Sequence, residues 1–172
     1  MTEQFVREKI EKYLKDKGWS DNLQPPALRR RGVDIKVKKE KPKKYGRYWL
    51  IEIKGDPRSK VKSPGGSRSS SFNSAVGQII TRMHTKRKKY KQSYHGYKYG
   101  VGFPLSFKKK VLNNLPYHVC EKLNLYAFFV NSRGEVKEYD HKKIEKFQNK
   151  KDKITIFTFY HRLIFQHSLR KL

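Results

Sequence analysis

The sequence predicts one α/β (α+β) domain, residues 1–172, in which a central mixed β-sheet is flanked by helices. Apolar residues recur at helical spacing over 2–19 and again over 72–83. Two runs between them, 33–37 and 48–53, are rich in the β-branched and aromatic residues that favour strands. With a further strand after the second helix, the order of elements is α-β-β-α-β. A sheet enclosed by helices buries the apolar faces of all these elements.

The first predicted helix is amphipathic. Val6, Ile10 and Leu14 share one face, charged residues occupy the others, and Gly18 follows near its end. The two strands after it are joined by the polar segment 38–46, which contains Pro and Gly and predicts a hairpin connection.

The second predicted helix carries an apolar stripe that includes Phe72, Ile79 and Met83, with serines before Phe72 as candidate N-caps. The segment 55–71 before it is rich in Ser, Gly and basic residues, and we expect a flexible basic loop there.

The remainder of the chain predicts alternating strands and helices. The turn-forming sequence Asn131-Ser132-Arg133-Gly134 predicts a hairpin. We expect a basic C-terminal extension from about residue 141 to 172. The predicted strands are 97–103, 125–130, 135–139 and 154–160, and the predicted helices are 106–114, 117–123 and 163–172.

Two carboxylates and one lysine fall on the first two strands. Asp34 opens the first strand or lies within it, and Glu52 and Lys54 lie in or just after the second. Because successive side chains of a strand point to opposite faces, Glu52 and Lys54 share a face. Carboxylate oxygens suit Mg²⁺, which can activate water for phosphodiester hydrolysis, and a lysine can stabilise the developing charge. An ordinary ion pair between a strand carboxylate and Lys54 is the alternative that the pattern leaves open.

The same residues resemble the PD-(D/E)xK, or restriction-endonuclease-like, nuclease superfamily over residues 1–103. Asp34 matches its first acidic position, and Glu52-Ile53-Lys54 matches the (D/E)xK element. Gln78, on the following helix, matches a glutamine that supports the lysine or the attacking water in several branches. A valine stands where the family's name has proline, at a position that varies widely.

The resemblance implies a restriction-endonuclease-like core and a metal-dependent DNA endonuclease of the restriction, host-defence or DNA-processing type. Its metal would be Mg²⁺, with Mn²⁺ able to substitute. The implied metal ligands are Asp34, Glu52 and the backbone carbonyl of Ile53, and Glu3 on the first helix is a candidate further ligand. Lys54 and Gln78 complete the implied catalytic set. A Holliday-junction-type nuclease, which would be a dimer, is an alternative within the same superfamily.

The charge of the chain indicates its partner. It has 42 Lys and Arg residues against 15 Asp and Glu, for a formal net charge of +27. Such an excess favours binding to a polyanion, and we expect the partner to be nucleic acid, in particular DNA. The candidate contacts are Arg29, Arg30, Arg31, Arg58, Lys60, Arg68, Arg82, Lys86, Arg87, Lys88 and Lys89.

Other function classes are disfavoured by what the sequence lacks. A single cysteine excludes a disulfide within the chain and cysteine-based zinc motifs. Neither a signal peptide nor an apolar run of membrane-spanning length is present, so we expect a cytoplasmic, nucleoid-associated protein without membrane contact. A non-catalytic nucleic-acid-binding protein and a homodimer both remain open.

Overall fold

The structure is a computed structural model that describes five segments of the chain. These are residues 1–19, 33–39, 48–57, 63–83 and 97–150. The predicted strand at 154–160, the predicted helix at 163–172 and most of the predicted hairpin connection lie outside them.

Within these segments, five strands form one mixed sheet in which spatial order follows sequence order. The two outer pairs, β1–β2 and β4–β5, are antiparallel, and the central pairs, β2–β3 and β3–β4, are parallel. Because parallel neighbours need crossover connections, helices separate the central strands in sequence. The predicted mixed sheet flanked by helices is confirmed. The strands are β1 (Ile35–Lys38), β2 (Tyr48–Ile53), β3 (Tyr97–Pro104), β4 (Leu125–Val130) and β5 (Val136–Tyr139).

Helices cover both faces of this sheet. None of the helices in the described segments is both long and apolar enough to cross a membrane. A short 3₁₀ turn, Leu105–Phe107, joins β3 to the helix that follows it. The helices are α1 (Glu3–Asp16), α2 (Pro64–Arg82), α3 (Lys108–Asn114), α4 (Tyr117–Leu123) and α5 (141–150).

Helix α1 covers one face of the sheet. The side chain of Thr2 caps its N-terminus by accepting a hydrogen bond from the Phe5 N–H. Val6, Ile10 and Leu14 are fully buried on the sequence-predicted face. Gly102 on β3 allows α1 to pack closely against the sheet, because a Cβ at this position would lie 2.6 Å from Ile10 Cδ1 and 2.5 Å from Ile53 Cδ1.

The other face is covered by the remaining helices. Phe72 and Ile79 of α2 pack into one apolar core with Phe107, Leu112 of α3 and Ile144 of α5. The crossover helix α2 thereby lies against β2 and β3, which positions its C-terminal turn beside the end of β2.

Helix α2 begins earlier than the sequence predicted. Most of the second half of the expected loop at 55–71 is helical, because the helix starts at Pro64. Ser63, not a serine next to Phe72, is the N-cap, and its hydroxyl accepts a hydrogen bond from the Gly66 N–H. Proline suits the first helical turn because its missing N–H would have no partner there. The sequence predicted a loop here because Ser and Gly, which are abundant in this segment, disfavour helix.

The expected C-terminal extension also needs correction at its beginning. Residues 141–150 form α5, whose first turn is capped by a hydrogen bond from the Lys143 N–H to Asp140 Oδ1. Ile144 is fully buried, and the Gln148 amide donates to the carbonyls of Leu112 and Leu115. These contacts make the first ten residues of the segment part of the folded domain, with Ile144 in its core.

Candidate functional site

The pairing of β1 with β2 brings the two predicted carboxylates together. Ile35 pairs with Ile51 in antiparallel register, so Asp34, which directly precedes β1, falls opposite Glu52. Asp34 Oδ2 accepts a hydrogen bond of 2.7 Å from the Ile53 backbone N–H. This bond fixes the Asp34 carboxylate at the end of β2.

Glu52 is buried although it is charged. Its exposure is 2%, and it is the one buried polar or charged residue in the described segments. Lys54 Nζ donates to Glu52 Oε1 over 3.1 Å, as expected for neighbours on one face of a strand. Arg82 Nη1 donates to the other oxygen, Oε2. Both oxygens of this carboxylate therefore face cations.

The surroundings of Glu52 oppose its ionisation on balance. Burial raises the pKa of this carboxyl above its ordinary value, and the negative charge of Asp34 raises it further. Lys54 and Arg82 lower the pKa, but by less than the opposing effects. An additional positive charge close to Glu52 would therefore stabilise the ionised form of its carboxyl.

Glu3 of α1 lies at the same site. Burial raises the pKa of its carboxyl, with opposing effects from the Lys54 ammonium and the Asp34 carboxylate. The Gly55 backbone N–H donates a hydrogen bond to Glu3. A Cβ on Gly55 would lie 2.6 Å from the Glu3 nitrogen, so the chain after Lys54 passes directly against the start of α1.

Gln78 is a half-buried residue of α2. Its Oε1 is buried and has no hydrogen-bond donor among the described residues. Buried amide oxygens are normally paired, because leaving one unpaired costs about 1–3 kcal/mol. A water molecule or a cation would satisfy this oxygen. This geometry is compatible with the predicted supporting role.

The ion pair between Arg82 and Glu52 was not anticipated from the sequence. Arg82 was predicted to contact nucleic acid, and its position one helical turn after Gln78 was recognised. Its contact with a metal-ligand candidate depends on how α2 packs against β2. Only the helical spacing from Gln78 could have suggested that both residues reach one site.

The donors present suit a hard divalent cation. Asp34, Glu52 and the Ile53 carbonyl supply oxygen atoms, and Mg²⁺ in proteins commonly uses one or two carboxylates together with water and substrate phosphate. Within the described segments, no three His, Cys, Asp or Glu side chains form a group that could hold a metal ion. The protein ligands would therefore be few, and Glu52 Oε2 would first have to be released by Arg82.

Two of the eleven predicted nucleic-acid contacts lie in the described segments, and both contact carboxylates of the protein. Arg82 pairs with Glu52, and Arg68 Nη2 lies 3.9 Å from Asp56 Oδ1. Asp56 also accepts a hydrogen bond from the Ser106 hydroxyl. The other nine are outside the described segments: Arg29, Arg30, Arg31, Arg58, Lys60, Lys86, Arg87, Lys88 and Lys89.

No protein-family model and no curated protein matches the sequence. Among solved structures, the chain is similar to an XisH family protein from Nostoc punctiforme, with a TM-score of 0.48 and 16% identity, covering 79% of this chain and 98% of that one. It is also similar to an FdxN element excision controlling factor protein from Anabaena variabilis, with a TM-score of 0.47 and 18% identity, covering 78% and 96%.

Proposed function

We propose that this protein is a metal-dependent endonuclease of the PD-(D/E)xK type that hydrolyses phosphodiester bonds in DNA. The observation that carries the proposal is the meeting of Asp34, Glu52 and Lys54 at the end of β2, with Glu52 buried. A structural ion pair has no need of a second carboxylate, whose negative charge opposes the ionisation of the first.

Each residue has a distinct role in this proposal. Asp34, Glu52 and the Ile53 carbonyl would hold Mg²⁺, which when bound neutralises phosphate charge and lowers the pKa of water. The Lys54 ammonium orients the attacking water or stabilises the negative charge that develops on the phosphate oxygens. Gln78 Oε1, the unpaired buried acceptor, holds that water by accepting one of its hydrogens.

The charge of the whole chain supports a nucleic-acid substrate. With a formal net charge of +27, the protein attracts phosphates over a long range and releases counterions on binding. A carboxylate pair inside so basic a protein would weaken simple binding. The presence of this pair supports a chemical role.

A nucleic-acid-binding protein without catalysis is the second candidate. In its favour, Lys54 and Arg82 already satisfy both oxygens of Glu52. This candidate does not explain why the buried oxygen of Gln78 is unpaired or why Asp34 lies next to Glu52.

A cleavage assay with matched variants tests the proposal. Supercoiled plasmid, a four-way DNA junction and RNA are incubated with Mg²⁺, Mn²⁺ or EDTA. The parent is compared with Glu52→Ala, Asp34→Ala and the control Glu138→Ala, which removes a carboxylate at the opposite edge of the sheet. Thermal melts verify that each variant is folded.

We expect metal-dependent cleavage by the parent and the control. Loss of a metal-ligand carboxylate should lower the rate about 1,000-fold while leaving binding in EDTA unchanged or tighter. Preferential cutting of the junction would assign the junction-nuclease alternative. Binding of every substrate without cleavage in any lane would overturn the proposal in favour of the second candidate.

A further inference from the structure

We propose that Arg82 acts as an exchangeable cation on Glu52, held there in the free protein and released when a divalent cation and a nucleic-acid phosphate enter. Metal and nucleic acid would then assist each other's binding through this one side chain. The inference rests on the proposed function, because it concerns how the same site is loaded.

The two cations on Glu52 differ in how they are held. Lys54 belongs to the same chain segment as Glu52, two residues further on, and its backbone N–H donates to the Gly102 carbonyl over 3.0 Å. Arg82 reaches Glu52 from the last turn of α2. Its side chain is 24% exposed, against 19% for that of Lys54 and 3% for that of Glu52. Arg82 is thus attached to an element other than the strand that carries Glu52, so its contact with Oε2 can be exchanged for another partner without any change in β2.

Arg82 and a metal ion compete for the same oxygen. Arg82 Nη1 contacts Glu52 Oε2, and Lys54 occupies Oε1. A divalent cation on Oε2 would lie next to the guanidinium, and two positive charges at such a distance repel each other strongly in a buried site. Metal binding to Glu52 therefore requires Arg82 to leave.

A phosphate group offers Arg82 a new partner. The guanidinium of arginine stays charged and matches the geometry of two phosphate oxygens, so transfer from carboxylate to phosphate conserves a charge-assisted contact. Arg82 is one helical turn from Gln78, so both face the same region. The DNA phosphate next to the scissile bond is the natural acceptor.

Coupling between the two ligands follows from this exchange. Metal releases Arg82 for phosphate, and phosphate draws Arg82 away from the metal-binding oxygen. Linkage requires the effect to be equal in both directions. In the free protein, Arg82 therefore occupies the metal-binding oxygen of Glu52 until nucleic acid binds.

Metal binding without nucleic acid is the first test. Mn²⁺ affinity is measured by calorimetry at neutral pH for the parent, Arg82→Ala and Arg82→Gln. Removing the competing cation should tighten Mn²⁺ binding about tenfold in both variants. The control Lys17→Ala removes the same charge from an ion pair with Glu138 and should bind Mn²⁺ as the parent does.

A double-mutant cycle in EDTA is the second test, read as the anisotropy of a labelled DNA duplex. Glu52→Gln frees Arg82 and should tighten DNA binding about tenfold. Much of this gain should disappear in the Glu52→Gln, Arg82→Ala double variant. A gain that arises only from losing a repulsive carboxylate would persist in the double variant. The parallel cycle of Glu138→Gln with Lys17→Ala should be additive.

The outcomes separate this inference from the proposed function. Tighter Mn²⁺ binding with a non-additive cycle supports the exchange, even if the plasmid remains uncut and the nuclease proposal fails. Cleavage by the parent, together with unchanged Mn²⁺ affinity in the Arg82 variants or an additive cycle, overturns the exchange alone. Absence of Mn²⁺ binding to the parent and to both Arg82 variants, without cleavage, overturns both.

Discussion

Two carboxylates of the sheet, Glu52 and Glu138, each accept hydrogen bonds from two side chains, one of which belongs to a helix on the sheet. Glu138 Oε2 on β5 accepts from Tyr13 Oη of α1 over 2.8 Å and from Nζ of Lys17, the C-cap of that helix, over 2.9 Å. Its side chain is 17% exposed, whereas that of Glu52 is 3% exposed. At Glu138, water can still solvate the carboxylate. Its contacts with Tyr13 and Lys17 are those of an ordinary structural ion pair.

The cluster around Glu52 differs in what surrounds the ion pairs. Asp34 adds a second negative charge nearby, and burial raises the pKa of the Glu52 carboxyl. Gln78 adds a buried oxygen without a described donor. A group selected only for stability would avoid such costs. An unfavourable electrostatic environment, more than the ion pair itself, distinguishes the candidate site from the structural contact at Glu138.

The lysines of the two clusters give the largest expected contrast. Lys54→Ala should lower the single-turnover cleavage rate about 100-fold with little change in DNA affinity, because its charge acts on the transition state. Lys17→Ala should leave the rate within about twofold, since an exposed ion pair contributes little. Quench-flow or gel-based cleavage kinetics measure both. Equal losses in the two variants would remove the distinction between the clusters.

Gln78 and Gln148 give a second contrast, with smaller expected effects on cleavage rate and stability. Gln78→Ala should slow cleavage about tenfold and leave stability unchanged or slightly raised, because the lost oxygen is unpaired. Gln148→Ala should do the reverse. It removes hydrogen bonds to the Leu112 and Leu115 carbonyls, which should cost about 1–2 kcal/mol without affecting cleavage. Chemical denaturation and cleavage kinetics on the same samples separate the two effects.

The smallest expected effect is a pH dependence of stability in EDTA. Because the folded pKa of Glu52 lies above its ordinary value of 4.5, the folded state binds more protons between those two values. The parent should therefore lose stability as pH rises through that window and level off above it. Glu52→Gln and Glu3→Gln each remove a carboxyl whose pKa is raised, so each variant should show a flatter slope than the parent. Urea denaturation at a series of pH values gives the slopes, and identical slopes in all three proteins would contradict the burial argument.

Local sequence patterns were sufficient for much of the sheet. The bounds of β2 and β4 match the predicted runs 48–53 and 125–130, because dense β-branched and aromatic side chains give an unambiguous signal. The candidate site at the end of β2 could also be predicted from the sequence. Once β1 and β2 pair as a hairpin, the register alone places Asp34 opposite Glu52.

Tertiary contacts decided what the sequence could not show. The first turns of α2 contain Gly65 and Gly66, which disfavour helix, yet the Ser63 cap and the packing of Phe72 hold them helical. The beginning of α5 was read as a basic tail because lysines surround Ile144. The pairing of Arg82 with Glu52 depends on the placement of α2 over β2, which no local pattern encodes.

Gly55 has a consequence for how this chain can change over generations. Its N–H contacts Glu3, and any side chain there would collide with the backbone of Met1, Thr2 and Glu3. A mutation at this position would displace the start of α1 and disturb the neighbours of Lys54 together. Substitution of residue 55 by any larger amino acid therefore requires the start of α1 to move, which ties this position to the geometry of the charged residues beside it.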